Sequence, residues 1–299
     1  HRVVGISKVE LITSPKTAEF IKAREIGGMP FRIFSPLMDV TMFNESTRCS
    51  FPDLGNWDIS HEEFILRREL LEPDLTILYA LESADGYEPY VTSKVSDLIG
   101  YVGSRFSSTN NHSIASEKIS LEEKIQLLVA RKNIYRSMNV KYLLTLFPIT
   151  DKDFKLVYQE YVGACESQLY IYELTNSYPR YFTTDRVVSV SDDSFVSKME
   201  KLSGFNIPTI MIEDSTMTLP PLTNQKYVKS IIPILNTGDR KEFDVEVPKN
   251  MHFYVGDTLL PGWKATVDGQ TVNLMGANYI YSAIPLTSGK HRVVLEYKK

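Results

Sequence analysis

The sequence predicts an α+β fold: a mixed α/β domain over residues 1–222, then a small seven-stranded antiparallel β-sandwich over residues 223–299. Three observations predict it. The first ~215 of the 299 residues interleave helix-period and strand-period apolar patterns, which suits a mixed sheet-and-helix layer structure. Beyond Leu222 only strand signals recur, at short regular spacing and separated by turn residues. Between them, the segment from Asp214 to Asn224 contains Leu219-Pro220-Pro221-Leu222, a proline-rich stretch suited to a domain boundary.

In chain order, Gly5 to Ile12 alternates weakly and reads as a strand or entry segment. Ser14-Pro15 predicts a helix start, with Ser as N-cap and Pro at the first helical position; Gly27-Gly28 ends that helix. Phe31 to Phe34 is a short strand, and Ser35 to Asp58 an irregular, turn-rich loop. Ser60 with Glu63 forms a capping-box pattern opening a helix to Leu71, and Leu75 to Leu81 reads as a buried strand. A loop from Ser83 to Tyr90 leads to a helix over Val91 to Val102. Phe106 to Ser116 is a polar loop. Leu121 to Met138 is one amphipathic helix, with Ser120 and Glu123 as a second capping box. Strands follow over Val140 to Leu146, Phe154 to Tyr161, Leu169 to Glu173, Arg180 to Val190 and Thr209 to Ile212, with a short helix over Asp193 to Ser203.

The C-terminal strands are Lys226 to Leu235, Glu242 to Val247, His252 to Asp257, Trp263 to Val267, Thr271 to Leu274, Tyr279 to Pro285 and His291 to Tyr297. Trp263, Ala265 and Val267 alternate with Lys264 and Thr266, which places the indole on the core face. Asp268-Gly269 is the dipeptide that best fits a type I′ hairpin, because both central residues need positive φ.

Composition limits the function. With 43% hydrophobic and 23% charged residues the chain is an ordinary globular protein, and its net charge of −4 gives no reason to expect a nucleic-acid partner. No apolar run approaches the ~20 residues that span a bilayer. The chain opens on His1-Arg2-Val3-Val4 without an initiator Met, which suggests a piece of something longer. Cys49 and Cys165 are the two cysteines; they can form one disulfide or remain two buried thiols.

No catalytic residue, metal ligand or cofactor is assigned. His61-Glu62-Glu63 lacks the second histidine of a zinc helix, since Ile65 stands at the required position. No nucleophile elbow and no phosphate-binding glycine loop is present. Two sequons, at Asn44 and Asn111, are of a length that arises by chance. The candidate ligand-binding residues are Trp57, Tyr87, Glu88 and Tyr90. Tyrosine rings and a carboxylate in a loop before a helix could stack on a sugar ring and accept its hydroxyls, although turn aromatics also pack on their own domain.

Several segments together resemble the C-terminal end of bacterial YfhO-type membrane proteins. They are Asp85-Gly86-Tyr87-Glu88-Pro89-Tyr90, Met138-Asn139-Val140-Lys141-Tyr142-Leu143, Tyr172-Glu173 followed by Pro179-Arg180-Tyr181-Phe182, and Pro261-Gly262-Trp263-Lys264-Ala265-Thr266-Val267-Asp268-Gly269 with the run from Pro285 to Tyr297. They occur in the family's order; Tyr90 departs from the usual Leu, and Arg105 to Ser120 does not align.

The resemblance implies a polytopic, glycosyltransferase-C-like parent that transfers sugar from a polyprenyl-phosphate donor to an envelope polymer such as teichoic acid. Its catalytic acid would lie between membrane helices absent from this chain. The chain is then expected to be the extracytoplasmic domain, non-catalytic alone. Its partners would be the parent transmembrane region and an envelope glycan or polyprenyl-linked sugar. The alternatives are a free-standing secreted carbohydrate-binding or adhesion protein, and a hydrolase using Asp85 with Glu88.

Overall fold

The computed structural model describes residues 2–3, 7–25, 29–36, 58–59, 61–72, 75–85, 92–102, 120–190, 194–213 and 231–298. Within them the chain is α+β, and it divides into two compact units, His1–Ser177 and Tyr178–Lys299.

In the first unit, strands β1 (Arg2–Val3) and β3 (Asp58–Ile59) make a two-stranded parallel pair. The main sheet has the order β2-β4-β6-β5, built from β2 (Arg32–Phe34), β4 (Val140–Thr145), β5 (Phe154–Val162) and β6 (Ser167–Leu174). β2 and β4 are parallel and the other pairs antiparallel. Helix α1 (Lys8–Ile12) stands where a strand or entry segment is expected: Ser7 and Glu10 form a full capping box, a local signal stronger than the weak alternation around it. Helix α2 (Lys16–Arg24) begins after Pro15, which takes the N-cap position without a side-chain bond. Ser14 therefore does not cap; its hydroxyl is buried without a partner. The Glu69 carboxylate reaches in to accept from the Thr17 N–H at 3.3 Å.

Helices α3 (His61–Glu69) and α4 (Leu75–Leu78) follow. The Leu75–Leu81 run is thus a single helical turn and not a strand: Tyr79 and Leu81 N–H groups both return to the Thr76 carbonyl, at 3.0 and 3.1 Å. After α5 (Ser93–Val102), the long helix expected from Leu121 is two, α6 (Leu121–Ala130) and α7 (Lys132–Ser137), broken at Arg131, where φ is −90° and ψ is 7°. The capping box of Ser120 and Glu123 is present. α2 lies on one face of the sheet, where Phe20 sits 4.8 Å from Tyr158. α7 lies on the other, where Tyr135 sits 5.2 Å from Phe34.

The second unit is a two-sheet sandwich. Its five-stranded sheet runs β10-β11-β17-β13-β14, from β10 (Ile231–Asn236), β11 (Arg240–Val247), β13 (Trp263–Val267), β14 (Gln270–Val272) and β17 (Gly289–Tyr297). Its six-stranded sheet runs β7-β12-β16-β15-β9-β8. The members are β7 (Tyr181–Thr184), β8 (Val187–Ser189), β9 (Ile210–Ile212), β12 (Met251–Val255), β15 (Met275–Ala277) and β16 (Tyr281–Leu286).

The expected set of seven strands beginning at 223 is therefore incomplete. β15 is hidden by its glycine and its shortness, and β7, β8 and β9 join the sandwich from before the proline-rich segment, all of which lies outside the described residues. β8 and β9 are parallel, so this sheet is mixed. The compact unit accordingly starts at Tyr178.

Phe243, Val245, Val293 and Leu295 from one sheet meet Met251, Phe253, Val255 and Ile284 from the other to form the core. Burying each such side chain contributes on the order of 1.5–3 kcal/mol. On the opposite face of the six-stranded sheet an aromatic layer runs through Tyr178, Phe182, Tyr254 and Tyr281, with centroids 4.6–5.9 Å apart. Helix α8 (Phe195–Gly204), capped by Ser194, buries Met199 and Leu202.

Candidate functional site

Trp57, Tyr87, Glu88 and Tyr90 lie outside the described residues, as does Cys49. What is described is the segment immediately before three of them, up to Asp85. Ser83 bridges to Ile33 in parallel, with Ala84 N–H donating to the Ile33 carbonyl at 2.8 Å. This extends the sheet edge by one short segment and brings Asp85 to a fully buried position. The Ser83 hydroxyl donates to the Asp85 carboxylate. Burial raises the Tyr135 phenol well above its ordinary value, Arg131 opposes that, and the Asp85 charge adds to it.

The other segments that carry the resemblance build two polar clusters, one in each unit. In the first, Tyr142 is fully buried; its hydroxyl donates to Glu25 Oε1 at 2.6 Å and accepts from Arg24 Nε at 3.1 Å. Arg24 also donates to Glu173 Oε2 at 2.7 Å, and Lys141 pairs with Glu25. Burial raises the Tyr142 phenol, and the bond to Glu25 raises it further. The strand register dictates the meeting: β4 and β6 place Tyr142 directly opposite Glu173, and the last turn of α2 supplies Arg24 above them.

In the second unit, Asp257 follows β12 and gathers three donors. Arg180 Nε reaches Oδ1 at 2.7 Å, the Tyr181 hydroxyl reaches Oδ2 at 3.1 Å, and Lys241 pairs with Oδ2. Burial pushes the Asp257 carboxyl up, but the Arg180 and Lys241 charges outweigh it and hold the group below its ordinary value. Gly256 makes the approach possible: its N–H donates to the Arg180 carbonyl at 2.8 Å, and a Cβ there would stand 2.7 Å from that oxygen.

Trp263 closes the cluster, with Lys241 Nζ 5.8 Å from its ring centroid and the Tyr297 ring 5.7 Å away edge-on. The indole is half-buried and packed against the sandwich core, so its face is already occupied. At the far end of the hairpin, Asp268 (φ 52°) and Gly269 (φ 81°) form the expected type I′ turn. The Asp268 side chain does more than turn the chain. It accepts from Arg292 N–H at 2.8 Å and lies 2.8 Å from His291 Nδ1, tying the hairpin to β17.

Arg24, Glu25, Lys241 and Asp257 escaped the sequence reading. Lys241 did leave a signal: it shares parity with Phe243, Val245 and Val247, all buried, so a charge at an inward position asks for a buried partner.

Cys165 is disulfide-bonded and buried, in a 3₁₀ turn where it and Glu166 both adopt left-handed backbone (φ 56° and 45°). Among the described residues no group of three His, Cys, Asp or Glu side chains is placed to hold a metal ion, and no helix is long and apolar enough to cross a membrane. Comparison with protein-family models, with curated proteins and with solved structures returned no match.

Proposed function

We propose that this chain is an extracytoplasmic binding and assembly domain of a YfhO-type, glycosyltransferase-C-like membrane protein. The parent would glycosylate a cell-envelope polymer of teichoic-acid type from a polyprenyl-phosphate sugar. On this reading the chain is non-catalytic alone and serves as a platform for the parent transmembrane region and for an envelope glycan.

The observation that carries this reading is the fate of the resembling segments. Lys141, Tyr142, Glu173, Arg180 and Asp268 are spent on ties within each unit, where carboxylates meet cations at hydrogen-bond distance. Groups so engaged stabilise a scaffold, and these five are held by their partners instead of being poised for proton transfer. The disulfide at Cys165 adds support, because such bonds persist in oxidising compartments outside the cytoplasm.

The test has two arms. The gene upstream of His1 should encode several apolar spans of ~20 residues. The intact protein in membranes should transfer sugar from a polyprenyl-phosphate donor while the isolated chain does not. An upstream region with a signal peptide and no such spans would instead support the secreted carbohydrate-binding reading. Transfer or glycoside hydrolysis by the isolated chain would overturn the non-catalytic assignment.

A further inference from the structure

The pairing of β5 with β6 exposes a face opposite the one that α2 covers. The register sets Gln159 opposite Tyr170 and Tyr161 opposite Gln168. Residues directly opposite share a face, as do residues two apart along a strand. The four side chains therefore form a checkerboard of two rings and two amides, each pair on a diagonal of ~7–8 Å. The reverse face of the same two strands is the one α2 covers, where Tyr158 meets Phe20 and Glu160 meets Lys16.

Tyr161 is 61% exposed, Gln159 is exposed, and Tyr170 and Gln168 are half-buried. Tyr170 is held by its neighbour Tyr172, whose ring lies stacked at 6.1 Å and 20°. Leu156, 45% exposed and opposite Tyr172, extends the same face with an apolar side chain. None of these residues carries charge. The side-chain amides and hydroxyls of Gln159, Tyr161, Gln168 and Tyr170 make no hydrogen bond to any described residue.

We propose that this β5–β6 face binds a neutral glycan chain. A phenol ring offers an apolar platform for the C–H face of a pyranose, and an amide donates and accepts at once, which matches vicinal hydroxyls. A phosphate or carboxylate ligand would find no cation on the checkerboard to pair with. An apolar protein partner would have to bury two glutamine amides unsatisfied. β5 is the edge of its sheet, so the face stays open along one side for an extended chain to cross. This assignment rests on the residues of one sheet and is independent of the membrane-tethered reading, which the upstream gene sequence tests.

The experiment titrates the full chain with maltohexaose and with the hexamer of N-acetylglucosamine at millimolar concentration, against polygalacturonate as the anionic control. Calorimetry and tyrosine side-chain NMR provide the readouts. At least one neutral oligomer should bind saturably and the anionic polymer should not. Tyr161→Ala should weaken binding about tenfold and Gln159→Ala a few-fold, whereas Tyr161→Phe should keep most of it. Both positions are exposed, so the variants should melt like the parent chain; Gln159→Ala serves as the second reading if Tyr161→Ala does not fold. Absence of binding by either oligomer overturns the proposal. So does binding that survives both Tyr161→Ala and Gln159→Ala. Loss on Tyr87→Ala alone would move the ligand to the 86–91 loop and overturn it equally.

Discussion

Replacing Asp257 with Asn tests whether the cluster around it holds the second unit together. The amide keeps the shape of the carboxylate but removes the charge that Arg180 and Lys241 share. The side chains of these three residues are 10–16% exposed, so water can do little to compensate. Removing one partner of a pair buried to this degree costs about 3–5 kcal/mol, most of it from cations left without their counter-charge. For a unit of this size each kcal/mol moves the melting temperature by roughly 3–6 °C, so a fall of roughly 9–30 °C is expected.

The pH dependence supplies a second, independent mark. The folded Asp257 carboxyl titrates below its ordinary 3.8. Its contribution is therefore complete above the unfolded value, and is lost as pH falls from there through the lowered folded value. Urea unfolding of both proteins, followed by circular dichroism from pH 7 down to pH 3, should show a gap that is constant to about pH 4–5 and then narrows. A loss under about 1 kcal/mol at pH 7 would refute the reasoning, because it would mean that solvent screens the cluster as it does a surface pair. A gap that does not narrow in acid would refute it as well.

Three further outcomes are expected. Gly262→Ala should destabilise by about 1–3 kcal/mol in urea, since φ is +104° and the new Cβ would meet the Lys298 carbonyl at 2.9 Å; Gly269→Ala, with φ +81° but open space around it, should cost less. His252 has its Nε2 buried without a partner, and burial lowers its pKa below 6.5. The neutral ring's contribution is therefore whole above pH 6.5 and declines as pH falls below it, so His252→Gln should flatten the loss of stability in that window. Thiol titration of the unfolded chain should find no free thiol until a reductant is added, and two afterwards; two reactive thiols in unreduced protein would contradict the bonded state of Cys165.

The legible parts of the fold were those set by short-range chemistry. Ser120 with Glu123, the alternation of Trp263 with Ala265 and Val267, and Asp268-Gly269 each specify a local geometry whatever surrounds them. The misread parts were decided by competition. Leu75 to Leu81 is apolar enough for strand or helix, and three hydrogen bonds back to Glu72 and Thr76 settle it as a turn of helix. The extent of the sandwich was not legible because β7 and β9 find their neighbours in strands far along the chain, and pairing at such range leaves no mark within a window of sequence. Of the sites, Trp57, Tyr87, Glu88 and Tyr90 stand out by residue type alone. The β5–β6 face needed the register, which sets Tyr161 across from Gln168, before its four side chains could be seen as one surface.

The place of β7 also bears on how the protein is made. Thr184 pairs with His252, and Tyr181 with Val255, across about 70 residues of chain. As synthesis proceeds, β7 and β9 leave the ribosome before β12 and β15 exist to receive them, while β8 has its partner in β9. At ~5–20 residues per second β7 waits several seconds with its ladder groups unpaired, and β9 with its β15-facing edge unpaired. The first unit has no such delay among β4, β5 and β6, which follow one another closely in the chain. Folding of the second unit is thus tied to the arrival of β12 and β15, and the interval before they arrive is when a chaperone would have most to do.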